Sequence, residues 1–581
     1  MNAIHLPSSK LIKGIPAAPG LALGHARIWS FQDLTFPHST GHDPAQERQR
    51  LRDAKTKALI ELSTLEKNIA LTVKPGEINL FKAHRMFVDD VALMQHVESS
   101  LLSGLNSEAC WMNAIDAFAI QLEALSNPTL KSRAADIRDV GRRVLCHLLG
   151  IPVDDFLLDS PVVIIASDLS PSQTVSLEKG KVLGFCIEKG GPTSHTAILA
   201  KALGLPAVVG LGPEVLSIEP GSIVWVDGTR GHIIINPDDQ ALIVFRDLTT
   251  RSNLRKLEAV EIAAQPAVTL DGVGVDVFAN IGGLEDAEAA LVNGAEGVGL
   301  FRTEFLYLDR QQLPPEAEQV QIYRKIFDRM ESRPIVVRTL DIGGDKAVPY
   351  IGFQEEANPF LGWRAIRMNE GRPDVFQSQV RALLQAGVGT NLRIMIPMVS
   401  NIEEIQLAKQ LIANARVELQ NEGLLFAQKV QFGIMVEIPS IALIADRVAP
   451  SIDFFSIGTN DLTQYTLAAD RTNARVAHLA SPFHPAVLGL IQMTIRAAHA
   501  HKKWVGLCGE LAGEVMAVPL LLGLGLDEFS LAPSLVPSIK RAIRKCVQTD
   551  CKIIAERALA CSSISEVTGM LIAEAERLDL F

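Results

Sequence analysis

Four short stretches of the chain carry side chains whose types and spacing could do chemistry. The first is Gly190-Gly191-Pro192-Thr193-Ser194-His195-Thr196-Ala197-Ile198-Leu199-Ala200, a Gly-Gly turn that runs into a helix of small and apolar residues. A helix start offers free backbone N–H groups and the positive end of the helix dipole, both suited to a phosphoryl anion. A His in that first turn can act as a nucleophile, its charged adduct held by the same donors. The second is a set of arginines in Gly- and apolar-rich contexts: Arg302 in Gly299–Leu306, Arg338 in Val337–Lys346, and Arg364 in Trp363–Arg367. The guanidinium fork matches phosphate and carboxylate, so the set predicts a small, multiply charged anionic substrate. The third pairs Glu437, in Met435–Ser440, with Asp461, in Ser456–Tyr465, where Asn460 is its neighbour. Two carboxylates beside anion-binding arginines fit Mg²⁺, an ion that completes its octahedron with water and substrate oxygens. The fourth is Cys508, between Gly506 and Gly509. A buried, inert thiol is the ordinary case, but at a strand end flanked by glycines a thiol can reach a substrate.

Those residues need elements to hold them. From residue 266 onward, eight apolar stretches alternate with helical patterns: Val275–Asn280, Gly297–Arg302, Ile335–Leu340, Leu392–Pro397, Gln431–Glu437, Phe454–Thr459, Trp504–Gly509 and Glu528–Ala532. Eight strand–helix repeats predict a (β/α)8 TIM barrel, whose active site lies at the downstream strand ends. Asn280, Arg302, Arg338, Glu437, Asn460, Asp461 and Cys508 fall there. Upstream, strand-and-turn texture in 1–35 returns in 150–237, predicting one α/β domain. Amphipathic stretches such as Leu51–Leu71 and Leu80–Leu102 predict a helical bundle over 36–149, inserted into that domain. Residues 238–265 read as a charged helical linker, and 266–581 as the barrel.

The remaining composition excludes several classes. The chain has 581 residues, 48% apolar and 21% charged, a core-forming balance. Its 55 basic against 66 acidic residues give a net charge of −11, which speaks against non-specific nucleic-acid or anionic-membrane binding. No apolar run approaches the roughly 20 residues that span a bilayer. Seven scattered cysteines without a CxxC pattern suit reduced thiols. The expectation is a cytoplasmic protein with no membrane or nucleic-acid partner.

The segment Gly-Gly-x-Thr-Ser-His-Thr-Ala-Ile-Leu-Ala, followed by Gly204-Leu-Pro-Ala-Val-Val-Gly210, resembles the phosphohistidine segment of the phosphoenolpyruvate-utilising enzymes. The resemblance continues through the arginine, carboxylate and cysteine motifs and covers nearly the whole chain. It is strongest to the Enzyme I branch, which serves the phosphoenolpyruvate–sugar phosphotransferase system. It implies a mobile, swivelling phosphohistidine domain with His195 as the phosphorylated residue and Thr174, in Asp168–Thr174, orienting it. It further implies phosphoenolpyruvate bound by Arg302, Arg338, Arg364, Asn460 and Arg471, with Mg²⁺ on Glu437 and Asp461. Cys508 takes the place of the general acid that protonates the enolate. The implied reaction passes the phosphoryl group from phosphoenolpyruvate to His195 and then to a His of the carrier protein HPr, docked on the bundle. Pyruvate is released, as the first step of sugar uptake. A homodimer formed through the barrel is likewise implied. Pro192 and Lys201 stand where the family often has Arg. Dikinase and synthase relatives need a large ATP-binding region ahead of the His; only 194 residues precede His195, more than a hundred of them in the bundle. That reading and a regulatory paralogue are the alternatives.

Overall fold

The structure is a computed structural model that describes residues 9–29, 34–69, 85, 87–124, 128–151, 160–169, 180–191, 194–308, 310–344, 348–354, 356–471, 473 and 476–580. The chain divides into two compact units, Met1–Thr249 and Thr250–Phe581.

Among its described residues the first unit holds eight strands: β1 Lys10–Lys13, β2 Ile15–Ala18, β3 Leu21–Trp29, β4 Val162–Ala166, β5 Val182–Ile187, β6 Ala207–Val209, β7 Ile223–Asp227 and β8 His232–Ile235. They form one mixed sheet in the order β1-β8-β7-β3-β4-β5-β6-β2. Strands β3 and β4 are parallel neighbours, with His25 opposite Val162, although the whole helical segment lies between them in the chain. The bundle is therefore an insertion that leaves the sheet after β3 and returns to it at β4. Its helices are Pro44–Ile69, Val91–Leu102, Ser107–Glu123 and Pro128–Leu149, packed around a core that includes Leu51, Leu62, Val97, Trp111 and Val144. The Trp111 indole N–H, buried in that core, donates to the Gly141 carbonyl (2.8 Å).

The stretch Leu80–Leu102 holds helix Val91–Leu102, which starts where Asp90 adopts an extended conformation and its carboxylate accepts the Leu93 N–H; residues 85, 87 and 88 are helical as well. That capping side chain sets the start of the helix. The segment 204–210 contains strand β6, too short for its alternation to register in the sequence.

In the second unit, strands β9 Asp276–Ile281, β10 Val298–Phe301, β11 Pro334–Arg338, β12 Asn391–Ile396, β13 Gln431–Val436, β14 Phe454–Ile457, β15 Trp504–Leu507 and β16 Glu528–Leu531 close into a parallel barrel, with β16 returning to β9. Each of the eight expected strands is present. The strands are almost wholly buried, as a parallel sheet covered by helices requires. The helices carry clear start signals: Asn401 and Glu404 form a reciprocal capping box before Ile402–Asn421, and Pro373, Pro439 and Pro485 occupy first-turn positions. Helix Asp239–Ile262 contains the unit boundary. Its second half is fastened to the barrel unit by Glu258, which accepts from Arg541 Nε (2.6 Å).

Candidate active site

The barrel's strand ends converge on a network of buried charge. Arg338 ends β11, and its Nη2 donates to Glu304 Oε1 (2.8 Å) while Nη1 lies 3.2 Å from Asp341 Oδ2. Arg364 reaches the same carboxylate with a fork, Nη2 to Asp341 Oδ2 at 2.8 Å and Nε to Oδ1 at 3.1 Å. Its Nη1 donates to the Tyr465 hydroxyl (3.3 Å), and Nη2 lies 3.5 Å from Asp461 Oδ2. Arg471 Nη2 stands 3.4 Å from the other Asp461 oxygen, Oδ1. Asp341 thus joins two arginines and Asp461 joins two, with Arg364 common to both. All but Arg471 are buried.

These pairs set the ionisation of the site. Burial drives the Arg338 pKa down, but the charges of Glu304, Asp341 and Glu437 more than reverse this and raise it. Arg364 is raised in the same way, against its burial, by Asp341 and Asp461. Both guanidinium groups are permanently charged. Arg302, which follows β10, is exposed, yet loss of water and the like charge of Arg338 lower its pKa, so it shares this charged neighbourhood.

Glu437, at the end of β13, is 2% exposed, and its Oε1 accepts the Met398 N–H (2.6 Å). Met398 holds that donor in a left-handed backbone conformation (φ 58°), which an unbranched non-glycine residue adopts at a cost of order 1–3 kcal/mol and which clusters at functional sites. Burial, followed by the charges of Asp461 and Asp341, pushes the Glu437 pKa up, with Arg338 and Arg364 opposing. Carboxylates crowded this way are chemically fitted to a divalent cation. Asp461 Oδ1 is buried and accepts no hydrogen bond among the described residues, leaving a lone pair for it. Among the described residues no cluster of three or more His, Cys, Asp or Glu forms a self-sufficient metal cage. A two-carboxylate site agrees with Mg²⁺, which keeps waters and substrate oxygens in its shell.

Cys508 follows β15 and is 3% exposed. Its Sγ lies 3.3 Å from Ser456 Oγ and 3.7 Å from the Ile457 carbonyl. Burial first of all pushes its thiol up to about 12, so it carries its proton at neutral pH. Asn460 uses both ends of its amide on the loop after Cys508: Nδ2 donates to Glu510 Oε1 (3.3 Å), and Oδ1 accepts the Glu510 N–H (3.0 Å).

In the first unit, helix His195–Leu203 begins at His195, capped by Ser194, whose side chain accepts the Ala197 N–H. Thr196 Oγ1 donates to Asp168 Oδ1 (3.3 Å), tying the helix start to the end of β4. Thr174, Pro192 and Thr193 lie outside the described residues. Lys201 is exposed in the helix's last turn. Sequence reasoning gave no role to Glu304, Asp341, Tyr465 or Met398. The first two lay inside the quoted arginine motifs, where an acid close to a buried Arg was the available signal.

Three family models match the chain: PEP-utilising enzyme, N-terminal, over residues 13–133; PEP-utilising enzyme, mobile domain, over 158–231; and PEP-utilising enzyme, PEP-binding domain, over 256–548. The chain belongs to the family of PEP-utilising enzymes. Within it, the chain is 42% identical to the Phosphoenolpyruvate-protein phosphotransferase of Staphylococcus carnosus (strain TM300) over 97% of this chain and 99% of that protein. It is likewise 42% identical to the protein of that name from Geobacillus stearothermophilus, over 98% of each. A solution structure of Enzyme I is 33% identical, covers 42% of this chain and 99% of its own, and superposes with a TM-score of 0.38.

Proposed function

We propose that this chain is a phosphoenolpyruvate–protein phosphotransferase that phosphorylates its own His195, releases pyruvate and hands the phosphoryl group to a His of HPr. The observation that supports this most directly is the strand-end cluster in which Arg338, Arg364 and Arg471 surround the paired carboxylates Glu437 and Asp461. Phosphoryl transfer asks a protein mainly for positioning and charge stabilisation, and this cluster supplies both. The arginines, with Arg302, hold the phosphate and carboxylate of phosphoenolpyruvate. Asn460 holds the loop that carries Glu510, beside the bound anion. Glu437 and Asp461 would hold Mg²⁺, which would supply positive charge to offset that of the transferring phosphoryl group. The bridging P–O bond breaks as the bond to the His195 imidazole forms, leaving the enolate of pyruvate. Cys508 gives its proton to C3 of that enolate; a thiol kept neutral by burial is in the right state to do so. The start of helix His195–Leu203, with Ser194 as cap and Thr174 as a further support, steadies the phosphohistidine. The family's cytoplasmic setting and dimerisation through the barrel belong to the same proposal. No described helix is long and apolar enough to cross a membrane.

The test uses the full chain with radiolabelled phosphoenolpyruvate and Mg²⁺. Label is expected on His195, acid-labile and matched by released pyruvate, with none in His195→Ala and none from ATP. Labelling from ATP alone, or label retained in His195→Ala, would overturn the proposal.

A further inference from the structure

The upstream rim of the barrel, opposite the strand ends that carry the candidate active site, holds a cavity of about 590 Å³, a size ordinary for a small organic ligand. Strand stagger opens it. Strand β12 pairs with β11 from Asn391 onward, but with β13 only from Arg393, which stands opposite Gln431. Asn391 and Leu392 therefore run past the start of β13 and leave a notch there. Arg416, on helix Ile402–Asn421, lines the notch from the helix layer.

The charges around this cavity are all of one sign. Arg416 and Lys429 line it, and no Asp or Glu does. Arg416 Nε is buried and donates to nothing among the described residues, and neither cation forms an ion pair among them. Other arginines close by in the fold are treated differently. Arg381 binds Glu316, Glu418 and Glu422, Arg324 pairs with Asp328, and Arg333 with Glu331. In a chain with 66 acidic against 55 basic residues, two neighbouring cations without a carboxylate are out of keeping. A buried N–H without an acceptor is a donor held for something the chain itself does not supply.

The rest of the lining narrows the class of ligand. Three side-chain amides, Asn391, Gln428 and Gln431, border the cavity, and all three residues are exposed. An amide both donates and accepts, as the hydroxyls of a polyol do, whereas a bare anion only accepts. Gln428 Nε2 has one long bond, to the Phe426 carbonyl (3.5 Å), which a ligand hydroxyl can displace. Leu392 and Val430 add apolar surface for C–H groups, and no aromatic ring lines the cavity, so a nucleobase would find nothing to stack on. We propose that this rim cavity is a binding site for a phosphorylated polyol, a sugar phosphate. Arg416 and Lys429 hold its phosphate, the guanidinium by its fork and the ammonium as a point charge. The three amides hold its hydroxyls. The site stands apart from the strand-end cluster and does not rest on the reaction assigned there.

Titration calorimetry on the full chain tests this with glucose 6-phosphate as the probe, and with glucose and inorganic phosphate as its two halves. Saturable one-to-one binding is expected, with a Kd on the order of 1 mM or tighter, the scale for about sixteen non-hydrogen atoms at ordinary ligand efficiency. Each half should bind at least about tenfold more weakly. Arg416→Gln and Lys429→Gln should each weaken glucose 6-phosphate by at least about tenfold, the effect of losing one charge-assisted hydrogen bond. Lys429 is exposed, so Lys429→Gln decides alone if Arg416→Gln does not fold by circular dichroism. Wild-type affinity in either folded variant would place the probe elsewhere and overturn the inference. So would the absence of saturable binding, and so would inorganic phosphate binding as tightly as the sugar phosphate, which would leave the amides without a role.

Discussion

Asp341→Asn isolates the charge that holds the arginine cluster together. The substitution keeps the side chain's shape and removes the single carboxylate that Arg338 and Arg364 share, at 3.2 and 2.8 Å. All three groups are buried. Leaving a buried charge without its partner costs about 3–5 kcal/mol. The lower end applies, because Arg338 keeps Glu304 at 2.8 Å and Arg364 keeps Asp461 at 3.5 Å. A loss of about 3 kcal/mol, at about 2 °C per kcal/mol for a unit of this size, lowers the barrel's Tm by about 6 °C. The substrate response should go the other way. Asp341 competes with an incoming phosphate or carboxylate for the same guanidinium forks, so phosphoenolpyruvate should bind the variant at least as tightly as the wild type. A ligand at 100 times its Kd adds about 2.7 kcal/mol, enough to restore most of the lost stability. Differential scanning calorimetry with and without phosphoenolpyruvate reads both effects. A Tm within 1 °C of the wild type, or a tenfold weaker Kd for phosphoenolpyruvate, would refute the reasoning.

Cys508→Ala should slow pyruvate formation by about 10²–10⁴-fold with little change in Tm, as checked by stopped-flow and thermal melts; a wild-type rate would leave the thiol a packing residue. Glu437→Gln and Asp461→Asn should each abolish Mg²⁺-dependent labelling of His195, as should chelation of the metal in the wild type, and near-normal labelling in either variant would remove that residue from the ligand set. A fragment ending at Thr249 should fold and exchange phosphoryl groups with phosphorylated HPr yet take none from phosphoenolpyruvate, while 250–581 should bind phosphoenolpyruvate, by calorimetry, and form no phosphoprotein. The cut belongs there because Glu258 and Ala263 are bonded to Arg541 and Lys540 of the barrel unit. His499 is held above its ordinary pKa by the hydrogen bond to Asp527; its folded pKa is raised, so its stabilisation is full below about pH 6.5 and fades as pH rises through the raised value. The Tm gap between wild type and His499→Gln should narrow accordingly, and a gap that widens with pH would contradict it.

The amino-acid sequence by itself determined the elements and the end of the barrel on which the chemistry gathers. Period-2 and continuous apolar runs reflect backbone geometry and burial, both local in the chain, and all eight barrel strands were legible from them. The positions of Arg338, Glu437, Asp461 and Cys508 at downstream strand ends followed from the same runs. The Asp90 cap that starts helix Val91–Leu102 is a signal of the same local kind. Tertiary structure alone decided which charges meet. Arg364 finds Asp461 and Tyr465 across 97 and 101 residues of chain, and Ser530 finds Asn280 across 250. The row Ser456–Gly506–Glu528–Asp276 exists only because strand register sets those four residues at one height. No periodicity encodes such pairings, since they depend on how the strands close into a barrel. The raised pKa values of Cys508 and Glu437 come from burial and neighbouring charge, quantities the closed barrel creates.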